Sequence, residues 1–163
     1  MTFELSNSTG YLVNRVAALM KTALERELLP YGVTAQQWAL TATAGAEAGA
    51  GVAAIAEKLG IDVGATSRLI DRLEEKGLLE RIRTEHDARQ ASVTLTAAGR
   101  ALLPKLVRCA ERVLERYLAP LSDREVATLN ALLKRLASPL PLAPAKTLRS
   151  KALKPGGGRD RSR

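Results

Sequence analysis

Residues 51–99, GVAAIAEKLGIDVGATSRLIDRLEEKGLLERIRTEHDARQASVTLTAAG, decide the fold of this 163-residue chain. Ala56 and Gly60 stand four apart, a small side chain where two helices approach and a glycine where the chain turns between them. Ile55 and Leu59 face the core ahead of that turn. Asp62 then occupies an N-cap position, its carboxylate an acceptor for the first free N–H groups of a second helix. In that helix Thr66, Leu69, Ile70 and Leu73 follow i, i+3, i+4, i+7 spacing and pack inward, which leaves Gly64, Ala65, Ser67, Arg68, Asp71 and Arg72 outside. Gly77 ends the helix. Leu79–Arg83 and Ala91–Leu95 alternate as strands around a polar loop, Thr84–Gln90. Helix, turn, helix and charged hairpin in that order make a winged helix-turn-helix, in which the second helix enters a DNA major groove and the hairpin reaches the neighbouring backbone or minor groove.

The flanking segments are helical. From Tyr11 to Leu29, Leu12, Val16, Leu19, Met20, Ala23 and Leu28 recur at helical spacing until Pro30-Tyr31-Gly32 stops the run. Thr34 with Gln37 forms a capping box for a helix through Trp38 and Leu40 that fades in the Gly/Ala-rich stretch Gly45–Gly51, and a short helix begins near Val52. Thr96 caps a long helix with an apolar face of Leu103, Leu106, Val107, Ala110, Val113, Leu114 and Tyr117. Pro104 lies inside it and predicts a kink or a local break, because proline lacks an N–H and crowds the carbonyl of Arg100. Ser122 with Glu125 caps a last helix, ending near Ser138, with a stripe of Val126, Leu129, Leu132, Leu133 and Leu136.

The fold class is therefore mainly α with a small β-hairpin wing, flanked by N- and C-terminal dimerisation helices. Residues 1–138 form one domain, with the DNA-binding lobe at about 34–95 and the dimerisation helices at about 8–30 and 96–138. The terminal helices carry more apolar surface than a small winged-helix lobe covers, so a two-fold homodimer is expected. Residues 139–163 mix prolines, a glycine run and like charges, and are expected to be a basic disordered tail.

The net charge of +8 is a poor guide to DNA binding, because residues 58–95 carry seven basic and seven acidic side chains, whereas residues 138–163 carry seven basic and one acidic. Individual placement matters more. Gly64, Ala65 and Ser67 let the helix approach base edges, Ser67 and Arg68 supply hydrogen bonds, and Arg68 can take guanine bidentately. Arg72, a turn later, suits a phosphate or a salt bridge; the competing reading is a solvated face in which Arg68, Asp71, Arg72 and Glu75 pair at i,i+4. Arg83 and Arg89 flank the wing loop, with Asp87 placed to buttress Arg89 towards the minor groove.

Other chemistry is absent from the pattern. Cys109, the single cysteine, excludes an intramolecular disulfide; Arg108 and Arg112 stand near it, but it reads as a small core hydrophobe. His86 stands alone in the wing without a second ligand at metal spacing. No nucleophile, base and orienting acid converge, and Gly156-Gly157-Gly158 lacks the strand and helix of a phosphate loop, so no catalytic residue, metal or cofactor is expected. Neither a secretory leader nor a membrane span is evident, which predicts a cytoplasmic protein.

The stretch resembles the MarR family of transcriptional regulators. Carrying residues are Asp71-Arg72-Leu73-Glu74, Gly77-Leu78 with Arg81, and Asp87-x-Arg89 leading into Leu95-Thr96-x-x-Gly99, and the match runs over roughly residues 10 to 138. Departures are Gly64-Ala65-Thr66, where small polar or β-branched residues usually open the recognition helix, and Ala88, where a second wing arginine is common. The resemblance implies a homodimer binding double-stranded DNA at a pseudo-palindromic operator, usually as a repressor released by a small phenolic or lipophilic effector or by oxidation. It further implies an effector pocket between the dimerisation helices and the DNA-binding lobe, which here points to Tyr11, Arg15, Trp38 and Leu40, although ordinary core packing also accounts for Trp38. An architectural DNA binder relying on the basic tail, or a protein-interaction module, are the alternatives.

Overall fold

Period and capping place the helices of the computed structural model, which describes residues 4–83 and 91–138. The order is α1 (Thr9–Leu28), α2 (Ala35–Ala46), β1 (Ala50–Gly51), α3 (Val52–Leu59), α4 (Val63–Glu75), β2 (Leu79–Arg83), β3 (Ala91–Leu95), α5 (Ala97–Leu118) and α6 (Asp123–Ala137). The capping box ahead of α2 is formed, with the Gln37 N–H donating to Thr34 Oγ1 (3.2 Å) and the Thr34 N–H to Gln37 Oε1 (3.1 Å). Residues up to Pro120 make one compact unit and those from Leu121 a second.

In the first unit, Leu28, Leu40, Ile55, Ile70, Leu73, Val93 and Leu106 are fully buried and bring five helices and the sheet onto one core. Buried hydroxyls are satisfied locally: Thr41 Oγ1 donates to the Gln37 carbonyl (2.8 Å) and Thr66 Oγ1 to that of Asp62 (3.0 Å). The sheet has the order β1-β3-β2, all antiparallel, with Leu79 opposite Leu95 and Arg83 opposite Ala91. β1 is an addition to the expected hairpin, pairing Ala50 with Val93 and Gly51 with Ser92. Two residues are too few to show a period of two.

Pro104 does not break α5, which runs unbroken from Ala97 to Leu118. Its ring lies on the exposed side, where water can reach the Arg100 carbonyl, while Gly99, Leu106, Cys109 and Val113 anchor the opposite side in the core.

The start of α5 is set by a close contact. Thr96 Oγ1 accepts from the Gly99 N–H (3.0 Å) and donates to the Gly77 carbonyl (2.6 Å), while the Thr96 N–H donates to the Leu78 carbonyl (3.1 Å). Gly99 lies against that same carbonyl, so closely that a Cβ there would meet the Leu78 oxygen at 2.1 Å.

In the second unit, the Glu125 carboxylate accepts from the N–H (2.8 Å) and hydroxyl (2.7 Å) of Ser122, and these bonds hold its pKa below the usual carboxylate range. Leu129, Leu132, Leu133 and Leu136 of α6 form an exposed apolar stripe.

Candidate nucleic-acid interface

α4 is fixed at both ends. Gly60 adopts φ 66° ahead of it, a left-handed conformation that closes the turn, and Asp62 Oδ1 accepts from the Ala65 N–H (2.8 Å). Thr66, Leu69, Ile70 and Leu73 are buried, as their spacing predicts. At the other end Lys76 Nζ donates to Gln37 Oε1 (3.0 Å) and to the Gly32 carbonyl, tying α4 to the start of α2.

Two of the acids of α4, Asp71 and Glu74, are organised by a residue from the sheet. Arg81 of β2 shares the strand face of buried Leu79 and is only 24% exposed, so its charge needs partners. It pairs with Asp71 (2.6 Å) and with Glu74, and its Nη2 donates to the carbonyl and hydroxyl of Ser67 (3.2 Å each). The Arg81 N–H also donates to Glu74 Oε1 (2.8 Å). In the sequence Arg81 stands out only as part of the family motif. The available signal was an arginine in phase with a buried leucine, facing two acids three apart on a helix.

Consequently the i,i+4 pairing of the competing reading does not form along α4 among the described residues. Asp71 is held by Arg81, and among the described residues neither Arg68 nor Arg72 is in an ion pair. Both guanidinium groups are exposed on the outer face with Gly64, and Ala65 and Ser67 are partly exposed beside them. Arg68, Arg72, Ala65 and Gln36 line a concavity of about 140 Å³ floored by Ile61 and Leu69. The backbone of Arg83 closes β2, whereas its side chain and the wing residues Asp87 and Arg89, with His86, lie outside the described residues.

The MarR-family model matches residues 31–90, which span α2 through the wing. MarR of Escherichia coli K12 is 31% identical over 128 residues, covering 78% of this chain and 89% of that relative. The chain belongs to the MarR family. Like the relatives it matches, this MarR-family protein is a transcriptional regulator. Two crystal structures share its architecture. CouR of Rhodococcus jostii bound to p-coumaroyl-CoA superposes with a TM-score of 0.78 at 26% identity, covering 85% of this chain and 98% of that one. A MarR variant from E. coli complexed with operator DNA gives 0.73 at 29% identity, with coverages of 78% and 92%.

The four residues the family resemblance marks for an effector are not grouped together. Tyr11 and Arg15 line an open concavity of about 380 Å³ along α1, with Asn14, Ala18, Leu19 and Thr22. Trp38 is partly buried against the core, and Leu40 lies wholly within it. Cys109 is buried, its thiol donating to the Glu27 carbonyl (3.4 Å), and Arg112 bridges Cys109 Sγ (3.3 Å) to the Glu27 carboxylate (2.8 Å). The same carboxylate holds the Arg112 pKa above its usual value. Among the described residues no helix is long and apolar enough to cross a membrane.

Proposed function

We propose that this MarR-family protein is a homodimeric, ligand-responsive repressor of a pseudo-palindromic operator, reading bases through Gly64, Ala65, Ser67 and Arg68 and phosphates through Arg72. Arg83 and Arg89, with Asp87 behind Arg89, serve the wing. The observation that carries this reading is the outer face of α4: Arg81 holds Asp71 and Glu74, and among the described residues Arg68 and Arg72 stand in no ion pair and are available to DNA. Dimerisation is supported by apolar surface that has no cover within either unit, Leu12, Val16 and Leu19 on α1 and Leu129, Leu132 and Leu136 on α6. A two-fold pair presents its recognition helices to half-sites about 10 base pairs apart. Tyr11 and Arg15 share one open face of α1 with Leu19 and serve as polar partners of a small effector there.

Arg68→Ala tests the assignment. It is expected to weaken binding to an operator selected from genomic DNA about tenfold and to relax the preference at one base pair in each half-site. Unchanged affinity and selectivity would reject a base-reading Arg68.

The concentration of positive charge after Ser138 favours a second reading, non-specific binding through the tail. Truncation after Ser138 separates the two: operator preference is expected to survive while the salt dependence of binding becomes shallower. Loss of all binding would replace the winged-helix mechanism with a tail-driven one.

A further inference from the structure

The outward surface of the first turn of α4 holds no hydrogen-bonding side chain of its own. Asp62 is engaged as the cap, and the three residues after it are Val63, Gly64 and Ala65. Val63 is 52% exposed, whereas Leu69, Ile70 and Leu73, the other large apolar side chains of α4, are buried. The space above Gly64 is occupied from further along the helix. A Cβ on Gly64 would stand 3.6 Å from Arg68 Nη1 and 3.2 Å from Asp62 Oδ1, so the arginine head folds back over the first turn. The guanidinium thus lies over Gly64, the residue between exposed Val63 and partly exposed Ala65 in the first turn.

We propose that Val63 and Ala65 read the 5-methyl groups of thymines adjoining the guanine that Arg68 takes. This rests on the assignment of α4 to the major groove. Thymine alone among the four bases offers a methyl group there, and apolar contact is the readout open to valine and alanine. A cytosine amino group at the same place would lose water without gaining a partner, so the surface selects against it as well as for thymine. Ser67 complements this pattern. Its oxygen accepts from Arg81 Nη2 (3.2 Å), which leaves the hydroxyl hydrogen to donate to an acceptor on a base edge.

The test uses the full-length protein and duplexes it selects from a randomised DNA library. In the best duplex each thymine is replaced singly by deoxyuridine, which removes the methyl and nothing else, and affinity is read by fluorescence anisotropy. Substitution at one or two thymines beside the Arg68-dependent guanine is expected to weaken binding about fourfold per methyl. Val63→Ala, which alters an exposed side chain, should keep the wild-type circular dichroism spectrum and the guanine preference while losing the distinction between thymine and deoxyuridine at one of those positions. Strong, sequence-preferring binding that tolerates deoxyuridine at every thymine overturns the inference alone, as does a selected half-site with no thymine beside that guanine. Absence of any sequence preference overturns the assignment of α4 to the groove as well.

Discussion

Gly99→Ala is expected to lower the unfolding free energy by about 3 kcal/mol, as overpacking against an immovable neighbour does. The added Cβ would fall 2.1 Å from the Leu78 carbonyl oxygen, and that oxygen is not at the end of a side chain that can swing away. It belongs to the backbone between α4 and β2 and already accepts from the Thr96 N–H (3.1 Å). Relief requires α5 to move off the sheet, which pulls Thr96 from the Gly77 carbonyl and Leu106 and Cys109 from the core. Urea denaturation followed by circular dichroism measures the cost. A change within about 0.5 kcal/mol, the range of ordinary surface substitutions, would show that α5 is not seated by this contact.

Arg81→Ala is expected to cost about 2 kcal/mol of stability and, with it, most of the operator affinity. The estimate lies between the small worth of exposed ion pairs and the larger cost of breaking buried ones, because Arg81 and Glu74 are only partly exposed. The affinity loss has a separate origin. Without Arg81, the Asp71 carboxylate, half exposed between Arg68 and Arg72, repels phosphate and competes for both arginines. Arg81→Lys should recover part of the stability but little of the affinity, since an ammonium cannot span Asp71, Glu74 and Ser67 with the planar fork of a guanidinium. Operator binding that persists in Arg81→Ala at unchanged salt dependence would show that Asp71 has no influence on the DNA-facing surface.

These two residues mark the boundary between local and tertiary information. Capping and periodicity are short-range properties, so the existence and order of α1 through α6, the N-cap roles of Asp62 and Thr96, and the buried face of α4 could all be read from the chain. Gly99 and Arg81 could be named there as parts of a family motif, but their work could not, because their partners are contributed by other elements. Leu40 shows the same limit, since its place on α2 is legible but its lack of any surface depends on what packs over it. β1 was hidden for a related reason. Its pairing belongs to β3, with Ala50 opposite Val93 and Gly51 opposite Ser92, rather than to a pattern in Ala50 and Gly51.

Local spacing alone thus determined a winged helix-turn-helix flanked by long amphipathic helices, because hydrogen bonds within a turn and apolar repeats along a helix are written in consecutive residues. The pairing of charges on the outer face of α4 was decided by tertiary structure. The segment from 58 to 95 is neutral in sequence, and Coulombic interaction depends on distance in space. Only the approach of β2 to α4 assigns Asp71 and Glu74 to Arg81 and leaves Arg68 and Arg72 outside every ion pair among the described residues.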